Sequence, residues 1–316
     1  MTGTLAVLAN DALLLLTAGI WGFAFVAQRA GMEHVGPFTY SAIRFGLGSL
    51  ALVPLVLVRR ARRARPAHAA AVLPVPAGSP RIHPLPGINP LTAGLLAGLV
   101  LTGGALLQQA GLVSTTAGKA GFVTGLYVVL VPLAGLLWGQ RAGWSRWLGA
   151  GLAAGGLYLL SVTGELTIER GDLLVLLGAL FWTGHVLILG WLSPRTDAVA
   201  LACVQFAVCA VLSGAAVLFA ERPTLQDIRA AALPILYGGL LSVGVAFTLQ
   251  VVAQGRTPPA HAAILLSLET VFAALGGWWL LGERLGARGL AGCALMFAGM
   301  LCAQLPLLLR AQPRPN

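Results

Sequence analysis

Charge is scarce in this sequence. Asp, Glu, Lys and Arg make up 9% of its 316 residues, against about 25% in an ordinary soluble domain. A single water-soluble core is excluded on that ground. With 58% apolar residues and a mean hydropathy of +0.86, lipid is the expected solvent. Cysteine is nearly absent too. Cys203, Cys209, Cys293 and Cys302 all fall inside apolar runs and none forms a C-x-x-C pair, so buried free thiols are expected rather than a disulfide framework or a metal site. The motifs H-E-x-x-H, G-x-S-x-G and G-x-x-x-x-G-K-[ST] are all missing, as are paired carboxylates. Neither an intramembrane enzyme nor an ATP-driven machine is indicated, and no cofactor is expected. The N-terminal "MTGTLAVLAND" has no Lys or Arg before the first apolar run. A cleavable signal peptide needs that positive region, so the first run is expected to stay as a span.

The formal charge is +10 and the pI about 10.7, values that in a soluble protein would suggest nucleic acid. Here the basic residues lie between apolar runs and no aromatics interleave with them, which excludes a nucleic-acid partner. The pattern is that of membrane orientation. With a cytoplasmic N-terminus, the inside set is Arg59, Arg60, Arg62, Arg63, Arg65, Arg81, Arg141, Arg146, Arg195, Arg256, Arg310 and Arg314, which makes 12. The outside set is Arg29, Lys119, Arg170, Arg222, Arg229, Arg284 and Arg288, which makes 7. Both termini are expected inside, although six of the twelve come from one loop.

A crossing helix needs about 20 mostly apolar residues. Runs of that kind lie near 11–28, 38–58, 91–112, 119–138, 144–163, 172–192, 198–219, 230–251, 260–281 and 286–307. The expected fold is therefore an all-α polytopic membrane protein of ten helices. Stretches such as "GLAAGGLYLL" and "LAGCALMFAGM" are rich in the small residues that let helices approach closely in lipid. The same faces leave a homodimer open. Residues 59–90 carry six Arg and many Pro, and are expected to form a flexible loop.

The chain also matches itself. Trp182 follows Trp21 by 161 residues, and the same offset lays "SAIRFGLG" over "ACVQFAVC", pairing Arg44 with Gln205. An offset of 143 pairs Gly139, Arg141 and Gly149 with Gly282, Arg284 and Gly292. The expected organisation is two five-helix halves, 11–163 and 172–307. Five is odd, so the second half enters the membrane inverted. Inverted repeats of this sort mark secondary transporters, with a substrate site near the midplane between the halves.

The stretches "WGFAFVAQRAGMEHVGPFTYSAIRFGLGSLALVPL" and "GKAGFVTGLYVVLVPL" resemble the first EamA repeat of the drug/metabolite transporter superfamily. "AAILLSLETVFAALGGWWLLGERLGARGLAGCALMFAGM" resembles the end of the second repeat, whose usual form is Ser-Leu-Glu-Pro. The resemblance implies a ten-helix carrier of the bacterial inner membrane with both termini cytoplasmic. It implies substrates among amino acids, other metabolites, purine-like compounds or toxic organics, commonly moved outward. Thr270 stands where the family usually has Pro, which puts a proline kink there in doubt.

Within the spans, Glu269 is the leading candidate. A carboxylate in hydrocarbon costs roughly 2.5–3.5 kcal/mol, and the functional reading is proton coupling or contact with a cationic group. The bland reading is a protonated acid bonded to a neighbouring helix. Leu126 stands in its place in the first half, with Tyr127 next to it. Lys119 at the start of its run is set either to attract an anionic group or to snorkel. His185 could relay a proton or simply be hydrogen-bonded in the bundle. Trp21, Trp182 and Tyr127 suit either stacking on substrate or packing. Gln109 and Gln250 are expected on a polar cavity wall, and Gln108 and Gln254 in the interior. Arg44 and Gln205 are expected to be structural, with Arg44 linked to backbone carbonyls or another helix. Trp144, Trp147, Trp278 and Trp279 suit interface anchors. The expected activity is secondary export of a small organic solute, coupled to protons through Glu269. A channel or lipid flippase on the same bundle stays open.

Overall fold

The computed structural model describes residues 3–64, 87–138, 143–161, 168–257 and 259–310, whose regular elements are helices joined by short turns. In chain order they form α1 (Gly3–Gly31), α2 (Pro37–Ala64), α3 (Pro90–Gly111), α4 (Ala117–Gly125), α5 (Tyr127–Ala134), α6 (Trp144–Ser161), α7 (Arg170–Leu192) and α8 (Ala198–Ala220). Then come α9 (Leu225–Ala230), α10 (Ala232–Leu236), a π-helical stretch (Tyr237–Phe247), α11 (Thr248–Gln254), α12 (Pro259–Leu266), α13 (Glu269–Leu281) and α14 (Ala287–Arg310).

Eight segments among the described residues are long and apolar enough to cross a membrane. They are Leu8–Gly31, Pro37–Ala61, Pro90–Gly111, Ala117–Ala134, Arg170–Arg195, Ala198–Ala220, Ala232–Gln254 and His261–Leu281. The apolar parts of α6 and α14, Trp147–Leu160 and Ala287–Cys302, are shorter.

Local chemistry sets several helix starts. Asn89 accepts from the Leu91 amide ahead of α3, with Pro90 at the first helical position. Thr116 and Asp197 cap α4 and α8 in the same way. α13 ends where Gly282 turns left-handed at φ 65°, a conformation that costs a side-chain-bearing residue about 1–2 kcal/mol.

α2 runs farther than the sequence suggests. It continues through Arg59, Arg60, Arg62 and Arg63 to Ala64, residues assigned above to a flexible loop. Arginine is a good helix former, and the first proline of the stretch is Pro66, so no breaker precedes Ala64. The remainder of that loop, 65–86, lies outside the described residues, as do Gly139, Arg141 and Arg314.

The solvent logic of a soluble protein is reversed. Leucines and tryptophans crowd the outside, with Trp144, Trp147, Trp278 and Trp279 all exposed, while Thr17, Gln28, Gln109, Gln205 and Glu269 are buried. α1 packs on α13 and on the π-helical stretch, α2 on α8 and the same stretch, α3 on α7 and α8, α4 on α7 and α13, and α6 on α14. Small residues permit the close crossings. A Cβ on Gly22 of α1 would lie 2.1 Å from Phe272 Cβ and 2.8 Å from the Glu269 carbonyl oxygen. One on Gly156 of α6 would lie 2.6 Å from the Gly292 carbonyl of α14.

The α1–α2, α3–α4 and α13–α14 turns meet at one end of the bundle, where residues from all three line a common cleft. There, carboxylates from late in the chain cap helices from early in it. Glu221 accepts from the Phe38 and Thr39 amides at 2.8 Å and from the Thr39 hydroxyl at 2.6 Å. Glu283 accepts from the Ala117 and Gly118 amides at 2.7 and 3.0 Å. The amides they satisfy would otherwise be left open at helix N-termini.

Candidate substrate cavity

A narrow cavity lies inside the bundle, with about 40 Å³ of room for the centres of water-sized molecules. Its wall comes from α1 (Trp21, Ala24, Phe25, Gln28), α2 (Arg44), α3 (Gln108), α4 and α5 (Thr124, Tyr127) and α7 (Trp182, Val186). The π-helical stretch and α11 to α13 close it with Ser242, Phe247, Gln250, Leu266 and Glu269. That is the make-up of a small-molecule site: apolar rings with a few convergent polar groups.

Two of its polar groups stand where a helix is interrupted. α4 gives way to α5 at Leu126, and Tyr127 opens α5; α12 gives way to α13 at Ser267–Leu268, and Glu269 opens α13. At both joints the backbone tightens to bonds three residues apart, Val129 to Leu126 and Thr270 to Ser267. Thr270, where a proline would be usual, thus keeps an amide that donates. Glu269 is buried and on the cavity wall. Among the described residues no basic side chain pairs with it. The Tyr127 hydroxyl faces its carboxyl from within interaction range, without the geometry of a full hydrogen bond.

Gln108 is the hub of the opposite wall. Its oxygen accepts from Trp182 Nε1 at 2.8 Å and from the Thr124 hydroxyl at 3.3 Å, and its amide donates to Gln28 Oε1 at 3.1 Å. Gln109, the glutamine expected there, turns away instead and donates to the Gln28 carbonyl at 3.4 Å. Successive residues on a helix are about 100° apart, so only one of the pair can face the cavity.

The rings form a second cluster. Phe247 sits between Trp21, 4.4 Å away centre to centre, and Trp182, stacked on it at 5.9 Å. Trp21 Nε1 donates to the Ser242 carbonyl at 3.3 Å, and the Thr17 hydroxyl reaches the Ala246 carbonyl. α1 is thus fastened to the widened turns of the π-helical stretch, a geometry that recurs at functional sites.

The other candidates lie elsewhere. His185 is off the cavity wall, with Nε2 donating to Gln205 Oε1 at 3.0 Å. Lys119 is also off it, held by Glu169 at 2.6 Å and by the fully buried Asp172 at 2.7 Å, while Thr115 donates to Asp172. Arg44, expected to link to backbone carbonyls or another helix, makes no hydrogen bond to a backbone carbonyl among the described residues. The guanidinium instead lies over the Phe45 ring at 4.7 Å and the Tyr40 ring at 5.5 Å, on the cavity wall. Nothing in an Arg between apolar residues reveals whether rings or carbonyls receive it.

The model of the EamA-like transporter family matches residues 10–162 and again 169–304. An uncharacterized transporter of Archaeoglobus fulgidus is 28% identical over 294 residues, covering 92% of this chain and 84% of the relative. The uncharacterized inner membrane transporter YedA of Escherichia coli K12 is 25% identical over 306 residues, 93% of this chain and 90% of its own. A solved crystal structure superposes with a TM-score of 0.63 at 18% identity, covering 96% of this chain and 99% of that one, which establishes a shared fold. A multi-pass membrane protein that the family model matches twice, across nearly its whole length, belongs to the EamA-like transporter family.

Proposed function

We propose that the protein is a secondary carrier that binds a small organic solute in the central cavity and moves it outward in exchange for protons through Glu269. One observation carries this reading. A buried carboxyl with no basic partner among the described residues forms part of a central cavity walled by rings and a few convergent polar groups. An acid in that position can gain and lose a proton according to what else occupies the cavity, which is what coupling requires. Tyr127, Trp21, Trp182 and Gln250 form the wall the solute would touch, together with Gln108 in the place expected of Gln109. Lys119 and His185 act on the bundle rather than on the solute.

The reading includes ten membrane crossings, with α6 and α14 as the two short ones, arranged as inverted halves 11–163 and 172–307. The packing supports it. Helices at equivalent places in the two halves lie against each other: α2 on α8, α4 on α13, α6 on α14. Six other contacts form three matched pairs. α3 on α7 answers the π-helical stretch on α1; α3 on α8 answers that stretch on α2; α1 on α13 answers α4 on α7. An approximate two-fold axis generates this pattern. The paired interruptions beside Tyr127 and Glu269 fit the same axis, and broken helices facing a midplane site are the common device of such carriers. With the arginines weighted as above, both termini lie on the cytoplasmic side of a bacterial inner membrane.

The test is Glu269→Gln in proteoliposomes with an imposed pH gradient. The variant keeps the shape and loses the titratable group. Gradient-driven solute flux is expected to vanish while solute counterflow persists; gradient-driven flux at the wild-type level would sink the coupling role.

A further inference from the structure

We propose that Arg44 is an anion subsite of the central cavity, so that the solute carries a carboxylate on an apolar body. The inference deepens the function proposed above and rests on the cavity being the place where solute binds. Arg44 is only 2% exposed, yet among the described residues no Asp or Glu pairs with it and no hydrogen bond leaves its guanidinium. The groups nearest it are mainly aromatic. Tyr40 and Phe45 present rings, and the Tyr40 hydroxyl is already donating to the Pro234 carbonyl. Ring contacts offset part of the cost of burying a cation, but they leave the buried Nε–H without an acceptor. A buried cation in that condition is costly unless something pairs with it, and the open side of this one is the cavity.

A carboxylate suits Arg44 in both charge and shape. Its two oxygens match the fork of the guanidinium, which lysine cannot imitate. The rest of the solute would meet Trp21, Phe247 and Trp182, whose rings form the apolar part of the same wall. Glu269 shares the cavity but is not paired with Arg44, so a solute lying between them keeps the two charges apart and uses both.

The experiment measures binding of three matched probes to the purified full-length protein by thermal stabilisation and calorimetry. Phenylacetate carries the carboxylate, phenylacetamide is its neutral isostere and reports partition into detergent, and phenethylamine reverses the charge. Phenylacetate is expected to bind at least about tenfold more tightly than either of the others, since charge-assisted bidentate pairs are about twice as strong as neutral bonds. In Arg44→Gln the preference for phenylacetate over phenylacetamide is expected to disappear. Arg44→Lys, which retains the charge if the glutamine variant does not fold, is expected to keep a reduced preference. No preference in the wild-type protein, a preference that survives in Arg44→Gln, or undiminished affinity in Arg44→Lys would each overturn the proposal. Counterflow separates this failure from failure of the carrier reading. Saturable exchange that ignores Arg44 leaves a carrier without this subsite, whereas carboxylate-selective binding without exchange leaves the subsite without a carrier.

Discussion

Gly22→Ala should loosen the crossing that holds Glu269 in place. The new methyl carbon would lie 2.1 Å from Phe272 Cβ, 2.8 Å from the Glu269 carbonyl oxygen and 3.0 Å from the Ala273 amide nitrogen. Carbon atoms in ordinary contact sit about 3.5–4.0 Å apart, so α1 and α13 must part by roughly 1.4 Å or more. None of the obstructing atoms is the free end of a flexible side chain. Overpacking of this kind costs about 1–3 kcal/mol, which for a chain of this size lowers the unfolding temperature by about 2–6 °C. The control lies one turn earlier on the same helix: a Cβ on Gly19 would meet nothing within 4 Å. Gly19→Ala should be neutral, or stabilising by at most about 1 kcal/mol through helix propensity. Both variants are melted in the same detergent, followed by tryptophan emission. If Gly22→Ala melts with Gly19→Ala and with wild type, the close approach of α1 to α13 is not what the packing here describes.

Three further expectations concern the end of the bundle where the capping carboxylates lie. Lys119→Met strands the fully buried Asp172 with only Thr115, and breaking a buried pair costs about 3–5 kcal/mol; adding Asp172→Asn should restore part of the melting temperature, and no restoration would rule out the pairing. Gly282→Ala should cost about 1–2 kcal/mol, because its φ of 65° suits glycine; an unchanged melting curve would count against that turn. The capping box at the start of α9 holds the Asp227 carboxyl below its ordinary value of 3.8, chiefly through its bonds with Thr224. A lowered acid stabilises the folded form above its unfolded value and loses that contribution as pH falls through the folded one. A chemical-shift titration of Asp227 should therefore have its midpoint below that of an unstructured Asp, and Thr224→Ala should move it back up.

How much of this could be read from the chain depends on which physics was local. Lipid as solvent makes long apolar runs and lone intramembrane acids conspicuous, so Glu269 stood out before any contact was known. The two matched tryptophans were equally visible, and both reach the cavity wall. What the sequence concealed were rotations and partners. Gln108 and Gln109 are the same residue type one position apart, and the direction each faces is set by where α1 and α7 pack. Lys119 stands 50 residues from Glu169, and nothing near it in the chain signals the ion pair. Phe247, the ring between the two tryptophans, lay in an unremarkable apolar run. The π-helical stretch had no visible cause there, and the wider turns of a π-helix leave no periodic mark in the residues. Arg44 was legible as an oddity but not as part of the cavity, because its setting depends on the π-helical stretch.

The carboxylate caps carry a consequence for the order in which the protein can be made. Glu221 follows Phe38 by 183 residues and Glu283 follows Ala117 by 166. At about 5–20 residues per second of synthesis, the start of α2 waits roughly 10–40 s for the group that completes it. During that interval its open amides must be met by water or lipid headgroups at the membrane surface. The early helices are therefore unfinished on leaving the ribosome, and a chain ending after residue 163 would never complete them.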